Sequence, residues 1–172
     1  MAGFIDRLKS LLPKTEPAVS SPSSEDPLDY DQLVHLDAED LAEQGILSAY
    51  QALLPRLKQF TDAPIEVTEE MDNDVGSYAV CFEGLRYAIS FPDDPDDDSW
   101  VRATVAFFDI VNANLRKKSS HKFYALYGAN DLGGIFLTEE EYVAARQAIK
   151  ERSNWPWMPV NWPPDYGYPN KR

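Results

Sequence analysis

The sequence predicts one α+β domain in the order α-β-β-β-α-β-β-α, with a single antiparallel sheet of about five strands and helices packed on it. Three observations predict it. Five short segments between residues 65 and 138 are rich in apolar and β-branched residues, several in strict alternation. Three longer segments repeat apolar residues at helical spacing. The chain has 172 residues, 44% apolar, with 8 Phe, 9 Tyr and 4 Trp. That is enough for one core and short of two.

Residues 1–12 are predicted to form a short amphipathic helix. Phe4, Ile5, Leu8, Leu11 and Leu12 share one side, Asp6, Arg7, Lys9 and Ser10 the other, and Pro13 stops it. Residues 13–29 are Ser- and Pro-rich and too polar to offset their ordering entropy, which predicts a disordered linker. The domain proper spans residues 30–152. Asp37 is a candidate N-cap ahead of Leu41, Ile46, Leu47, Tyr50, Leu53, Leu54, Leu57 and Phe60. Gly45 and Pro55 each invite a break in that helix. Strands follow around 65–71, 78–82 and 85–91, the last two joined by the tight-turn pair Glu83-Gly84.

An acidic loop at 92–98 precedes a second helix over 100–118, capped by Asp98 or Ser99, with Trp100 in its apolar stripe. Arg116, Lys117 and Lys118 suit the negative end of its dipole. A second hairpin covers 122–138. Its first strand is apolar on both faces, as in a central strand, and Gly128, Gly133 and Gly134 are expected to supply positive φ in its loop. Thr138 and Glu141 then form a capping box for a helix over 139–151. The tail, 153–172, carries Trp155, Trp157, Trp162, Tyr166 and Tyr168 among prolines and is predicted to run extended.

Charge is the strongest functional signal. Residues 15–98 carry 21 acidic and 3 basic side chains, a net of −18, against +2 on residues 1–14 and +3 on 99–172. Such a surface repels nucleic acid and anionic lipid and attracts basic proteins. A single cysteine, Cys81, expected as a buried inert thiol, permits no intrachain disulfide, and no export signal is legible. No apolar run reaches the ~20 residues of a membrane span. The expectation is a cytoplasmic protein without stable membrane insertion.

No catalytic motif, metal-ligand spacing or cofactor-binding pattern is legible. Asp93, Asp94, Asp96, Asp97 and Asp98 lack the glycine and terminal glutamate of a calcium loop. His35 and His121 are too few for a histidine metal site. The leading expectation is an acidic binding protein that captures or inhibits a basic partner, as an antitoxin or immunity-type inhibitor does. Its candidate contacts are Glu69, Glu70, Asp72, the aspartates at 93, 94 and 96–98, Asn130, Asp131, Trp155 and Trp157. Two alternatives stay open: a small-ligand or metal-dependent enzyme domain using carboxylates such as Glu69, Asp94 or Asp131, and an adaptor tethered by its N-terminal helix.

Overall fold

The computed structural model describes residues 26–94, 98–116 and 119–169; the predicted helix over 1–12 and the linker up to residue 25 lie outside them, as do Lys117 and Lys118. Among the described residues, burial begins early. Leu28, which the sequence places in the linker, is buried, and Asp29 caps a short 3-10 turn at Tyr30–Gln32.

The chain is α+β, with two three-stranded antiparallel sheets in place of the single five-stranded one predicted. Strands β2 (Val67–Asp72), β3 (Ser77–Phe82) and β4 (Leu85–Ser90) form the meander sheet, in that order. Strands β5 (His121–Leu126) and β6 (Gly133–Thr138) form the hairpin sheet, which a two-residue strand β1 (Val34–His35) joins along β6. The central strand is therefore β6, and not β5.

The physical reason for the split is helix α3 (Ser99–Leu115), which separates β4 from β5 in the chain and packs against both. From Ala103 onward it is buried nearly all round, including Phe107, Phe108, Ile110 and Val111. A helix that apolar needs cover all round, and it takes it from both sheets and from the helical segment Ala38–Leu57. The meander sheet supplies Tyr78, Val80, Phe82 and Ile89 to this core and the hairpin sheet Phe123 and Ala125. Aromatic stacking runs through the centre, with Phe108 on Phe123 at 4.9 Å and Phe123 on Phe136 at 4.6 Å between ring centroids. The outer face of the hairpin sheet (Tyr124, Leu126, Ile135, Leu137) packs with Leu28 and with Ala145 of α4 (Glu139–Ala148) as a second cluster.

Two asparagines of α3 tie the layers together. Asn112 donates to Phe123 O at 2.9 Å and accepts from Phe123 N at 2.8 Å, clasping β5 as a neighbouring strand would. Asn114 Oδ1 accepts from Ile65 N at 2.7 Å and from the Tyr50 hydroxyl at 3.2 Å, holding the segment that leads into β2. Asp109, also on α3, meets Tyr87 of β4 at 3.2 Å. Burial holds its carboxyl above the ordinary range against the opposing pull of the Tyr87 bond and Arg116.

The other helices follow their sequence signals closely. Asp37 accepts from Glu39 N and Asp40 N and caps the single turn α1 (Ala38–Asp40). The helix then breaks at Gln44 (φ 71°) and resumes as α2 (Ile46–Leu57), with Pro55 inside its last turn. Gly45 is required at the break, because a Cβ there would lie 2.3 Å from Asp40 O. Thr138 and Glu141 form the full capping box of α4. Glu83 and Gly84 both take positive φ, as the two-residue turn between β3 and β4 demands.

Candidate binding cleft

The proline-rich tail lies back on the hairpin sheet. Ala125 N donates to Trp157 O at 2.8 Å and Trp157 N donates to Ala125 O at 2.9 Å, so Trp157 makes one antiparallel bridge on the free edge of β5. Its indole Nε1 donates to Tyr127 O at 3.0 Å, and its ring stands edge-on to Tyr168 at 5.2 Å. Beyond it the chain loops over itself, with Val160 N donating to Tyr166 O at 3.0 Å. Gly167 (φ 89°) is fixed there, since a Cβ would come within 2.1 Å of Met158 O. The loop is moored to the start of α3 by the Tyr166 hydroxyl, which donates to Asp98 Oδ2 at 2.9 Å. Asp98 stands at the N-cap position of α3 but makes no side-chain cap; its carboxylate serves the tail instead.

The hairpin loop meets the tail from the other side. Its positive-φ residues are Tyr127 (58°) and Ala129 (53°), and not the glycines expected. Gly133 and Gly134 are needed for close packing: a Cβ would fall 2.7 Å from Leu33 and 2.0 Å from the Phe123 ring, respectively. Two non-glycine residues in the left-handed region of one loop mark a strained segment.

Between α3, this loop and the tail lies a cleft of about 480 Å³. Its floor is Trp100, Val101 and Val105 of α3, and its walls include Trp157, Pro159 and Tyr168, so the lining is mostly apolar. Asp165 and Tyr166 border it, which puts the Asp98–Tyr166 bond at its edge. A second, more polar cleft of about 670 Å³ lies across Gly128 and Leu132, lined by His35, Asn130, Asp131 and Ser153 among others.

The predicted contact residues are scattered over the surface, and many have local work. Glu69 Oε1 accepts from Leu47 N at 2.8 Å and from the Tyr78 hydroxyl at 2.6 Å. It thereby supplies the cap that α2 lacks from its own N-cap residue, Gly45. Burial and the Glu69 carboxylate together push the Tyr78 hydroxyl pKa far above its usual value. Glu70 pairs with Arg86 at 2.7 Å, which holds its carboxyl below the usual range. Asp72 Oδ1 accepts from Asp74 N and Val75 N in the β2–β3 turn. Asp94 is paired with Arg102, whose guanidinium also stacks over Phe91. Asp93 is exposed at φ 56°, while Asp96 and Asp97 lie outside the described residues.

Asn130 donates to Glu39 Oε2 at 3.1 Å, and Asp131 stands beside it in the polar cleft. Trp155 donates to Ile149 O, and the Arg146 and Arg152 guanidinium groups pack over its ring at 4.7 and 5.0 Å from the centroid. Trp157 is only 8% exposed and is spent on the domain's own packing. Cys81 is half-exposed rather than buried, because it points to the outer face of β3, where it donates to Glu70 Oε1 at 3.5 Å. Glu69, Asp94 and Asp131, the carboxylates of the enzyme alternative, are bonded to or placed on different elements and share neither cleft. Among the described residues no group of three or more His, Cys, Asp or Glu side chains is placed to hold a metal ion, and no helix is long and apolar enough to cross a membrane.

Sequence reasoning missed Trp100, Val101, Asp165 and Tyr166. Trp100 is read from its spacing as core, yet it is 38% exposed and lines the cleft between α3 and the tail. Comparison with protein-family models, curated proteins and solved structures finds no match to this chain.

Proposed function

We propose that this protein is a binding module that captures a basic, partly apolar segment of another protein, in the manner of an inhibitor that occludes its target. One observation carries the reading: the acidic side of the chain and the apolar cleft meet at one place. Asp98 and Asp165 stand at the edge of a cleft floored by Trp100 and Val101, and Asp93 and Asp94 lie just upstream of that helix start. An apolar floor with an acidic rim matches a segment in which Arg or Lys flanks a large apolar side chain. The apolar part gains affinity by burial, and the charges set encounter rate and orientation. Trp100 is the anchor of this reading, since Trp is among the residues that most often dominate binding energy. A reducing, cytoplasmic setting belongs to the reading and is motivated by the single cysteine.

The test has two steps. The full chain is used to recover a partner from its native cell at low salt with elution by high salt. Association rates of the purified partner are then measured across ionic strength for the parent, Trp100→Ala, and Asp93→Asn combined with Asp98→Asn. Trp100→Ala should raise the dissociation rate at every salt concentration. The Asn pair should slow association several-fold at low salt, in line with steering effects of about 10–10³. It should converge with the parent near 1 M salt, where the Debye length is ~3 Å. Rates insensitive to salt and unchanged by Trp100→Ala would overturn the proposal.

A further inference from the structure

The tail loop carries an apolar knob beside the apolar cleft. We infer that two copies of this chain pair about a two-fold axis, each seating Trp162 in the cleft between α3 and the tail of the other. The inference goes beyond the partner reading and does not rest on it.

Three observations carry it. The first is the knob. Trp162 is 77% exposed, the most of any large apolar side chain among the described residues. Its loop is already fixed. Trp162 N donates to Val160 O at 2.8 Å, Trp162 O accepts from Tyr166 N at 3.0 Å, and the Tyr166 hydroxyl is bonded to Asp98. An anchor on a fixed loop binds without the entropy cost of ordering that loop. An indole carries a large apolar area, and covering it is among the strongest single contributions a side chain makes to an interface.

The second is the cleft. At about 480 Å³ it falls within the roughly 300–1,000 Å³ of small-molecule sites, which is ample for one indole. Trp100, Val101 and Val105 give it an apolar floor.

The third is placement. Pro159, Pro164 and Asp165 of the same loop line the cleft, so knob and cleft wall lie within three residues of each other in the chain. A knob beside its own matching cleft is self-complementary, and one two-fold axis satisfies both insertions and closes the assembly at two copies. The surroundings suit such a face. Phe91, Trp100 and Val160 are also exposed. Arg102 stacks over Phe91, pairs with Asp94, and lines a small hollow with Arg86 and Asn161. Apolar side chains exposed together mark an interaction surface. Charge sets the conditions. The net −13 of each copy opposes pairing, so screening by salt strengthens it. Capture of a basic segment has the opposite salt dependence, which separates the two readings.

The test uses the full chain. Sedimentation velocity is run from about 1 to about 500 µM, the range in which a small symmetric interface forms. Runs at about 0.05 and about 0.5 M salt are compared. The parent should pass from monomer to dimer with no larger species, and should do so at lower concentration in the higher salt. Trp162→Ser should stay monomeric throughout. In the isotope-labelled parent, the Trp162 and Trp100 indole N–H signals should shift together as concentration rises, while Trp155, packed under Arg146 and Arg152 outside the cleft, stays in place. A labelled Val101→Arg chain, with its cleft blocked and its knob intact, is then titrated with unlabelled chain. Unlabelled Trp162→Ser, which keeps its cleft, should shift the Trp162 signal, and unlabelled Val101→Arg should not. A parent that stays monomeric leaves the knob and the cleft to another protein and overturns the inference. A dimer that survives Trp162→Ser, growth beyond two copies, or a Trp162 shift without one at Trp100 overturns it as well.

Discussion

Replacing Asn114 by alanine removes the one acceptor that Ile65 N has in the structure. Asn114 is 3% exposed, and its Oδ1 lies 2.7 Å from Ile65 N and 3.2 Å from the Tyr50 hydroxyl. The two losses are unequal. Tyr50 has one proton, and its other acceptor, Ile65 O, is closer at 2.9 Å, so it keeps a bond in the variant. Ile65 N keeps none. Ile65 is half-buried, and a donor shielded from water and left without a partner costs about 1–3 kcal/mol. The amide lost from Asn114 Nδ2 to Ile110 O at 2.8 Å adds little, since that carbonyl also lies inside the helix ladder. The expected destabilisation is therefore about 2 kcal/mol, nearly all from one N–H. In urea, with a slope of about 2 kcal/mol/M, the midpoint should fall by roughly 1 M. Tyr50→Phe should cost less, about 1 kcal/mol, and the double variant should be close to additive if the Tyr50 proton rests on Ile65 O. A midpoint within ~0.2 M of the parent for Asn114→Ala would refute the role assigned to Asn114.

Other expectations follow from single contacts. Gly134→Ala drives a Cβ to within 2.0 Å of a Phe123 ring pinned between Phe108 and Phe136, and should cost about 1–3 kcal/mol. A calorimetric melt unchanged in Tm would contradict that packing. Glu69→Ala should cost about 2 kcal/mol by uncapping α2, and Glu69→Gln clearly less, because an oxygen remains to accept from Leu47 N; faster amide exchange at Leu47 in the alanine variant alone is the specific signature. Asp109 holds its proton more tightly folded than unfolded, so its ionisation penalises the fold at neutral pH and the penalty fades as pH falls through its folded pKa. Asp109→Asn should therefore be the more stable protein at pH 7, with an advantage that shrinks toward the ordinary carboxylate range; urea midpoints that differ equally at both pH values would rule this out.

Local signals carried well from sequence to structure. The Asp37 cap, the Thr138–Glu141 capping box, the Glu83-Gly84 turn and both hairpins depend on neighbours within a few residues, and each formed as its pattern predicts. What did not carry was the layer order. Alternation along 78–91 and 122–138 says that each strand has an apolar face, but not that two separate sheets pack on one helix. The clue lay in α3, where Phe107, Phe108, Ile110 and Val111 are all apolar, and in its two asparagines, of which Asn114 is a buried clamp and Asn112 a half-buried one. The cleft was illegible for a related reason. It is made by residues 100, 128 and 157 coming together, and no spacing rule links positions that far apart. β1 was missed because two residues, Val34 and His35, carry no period at all.

The carboxylates divide between field and contact in a way their sequence positions hide. Between residues 26 and 94 there are 16 acidic and 3 basic side chains, yet the acids of β2 are bonded within the fold. Bonding does not remove them equally from the field. Glu70 and Asp94 are each paired with an arginine and are largely cancelled at a distance. Glu69 and Asp72 accept from neutral N–H and O–H donors and keep their full charge. At physiological ionic strength that charge is felt over about 8 Å, far enough to bias approach and too short to hold a partner at the opposite edge of the sheet. In the proposed capture of a basic segment, the acids of β2 contribute to steering at most, and holding falls to the residues where apolar area is exposed beside charge. Trp100 with Asp98 and Asp165 meets both conditions, and Trp157 and Trp155, for all their aromatic surface, are already committed to β5 and to two arginines.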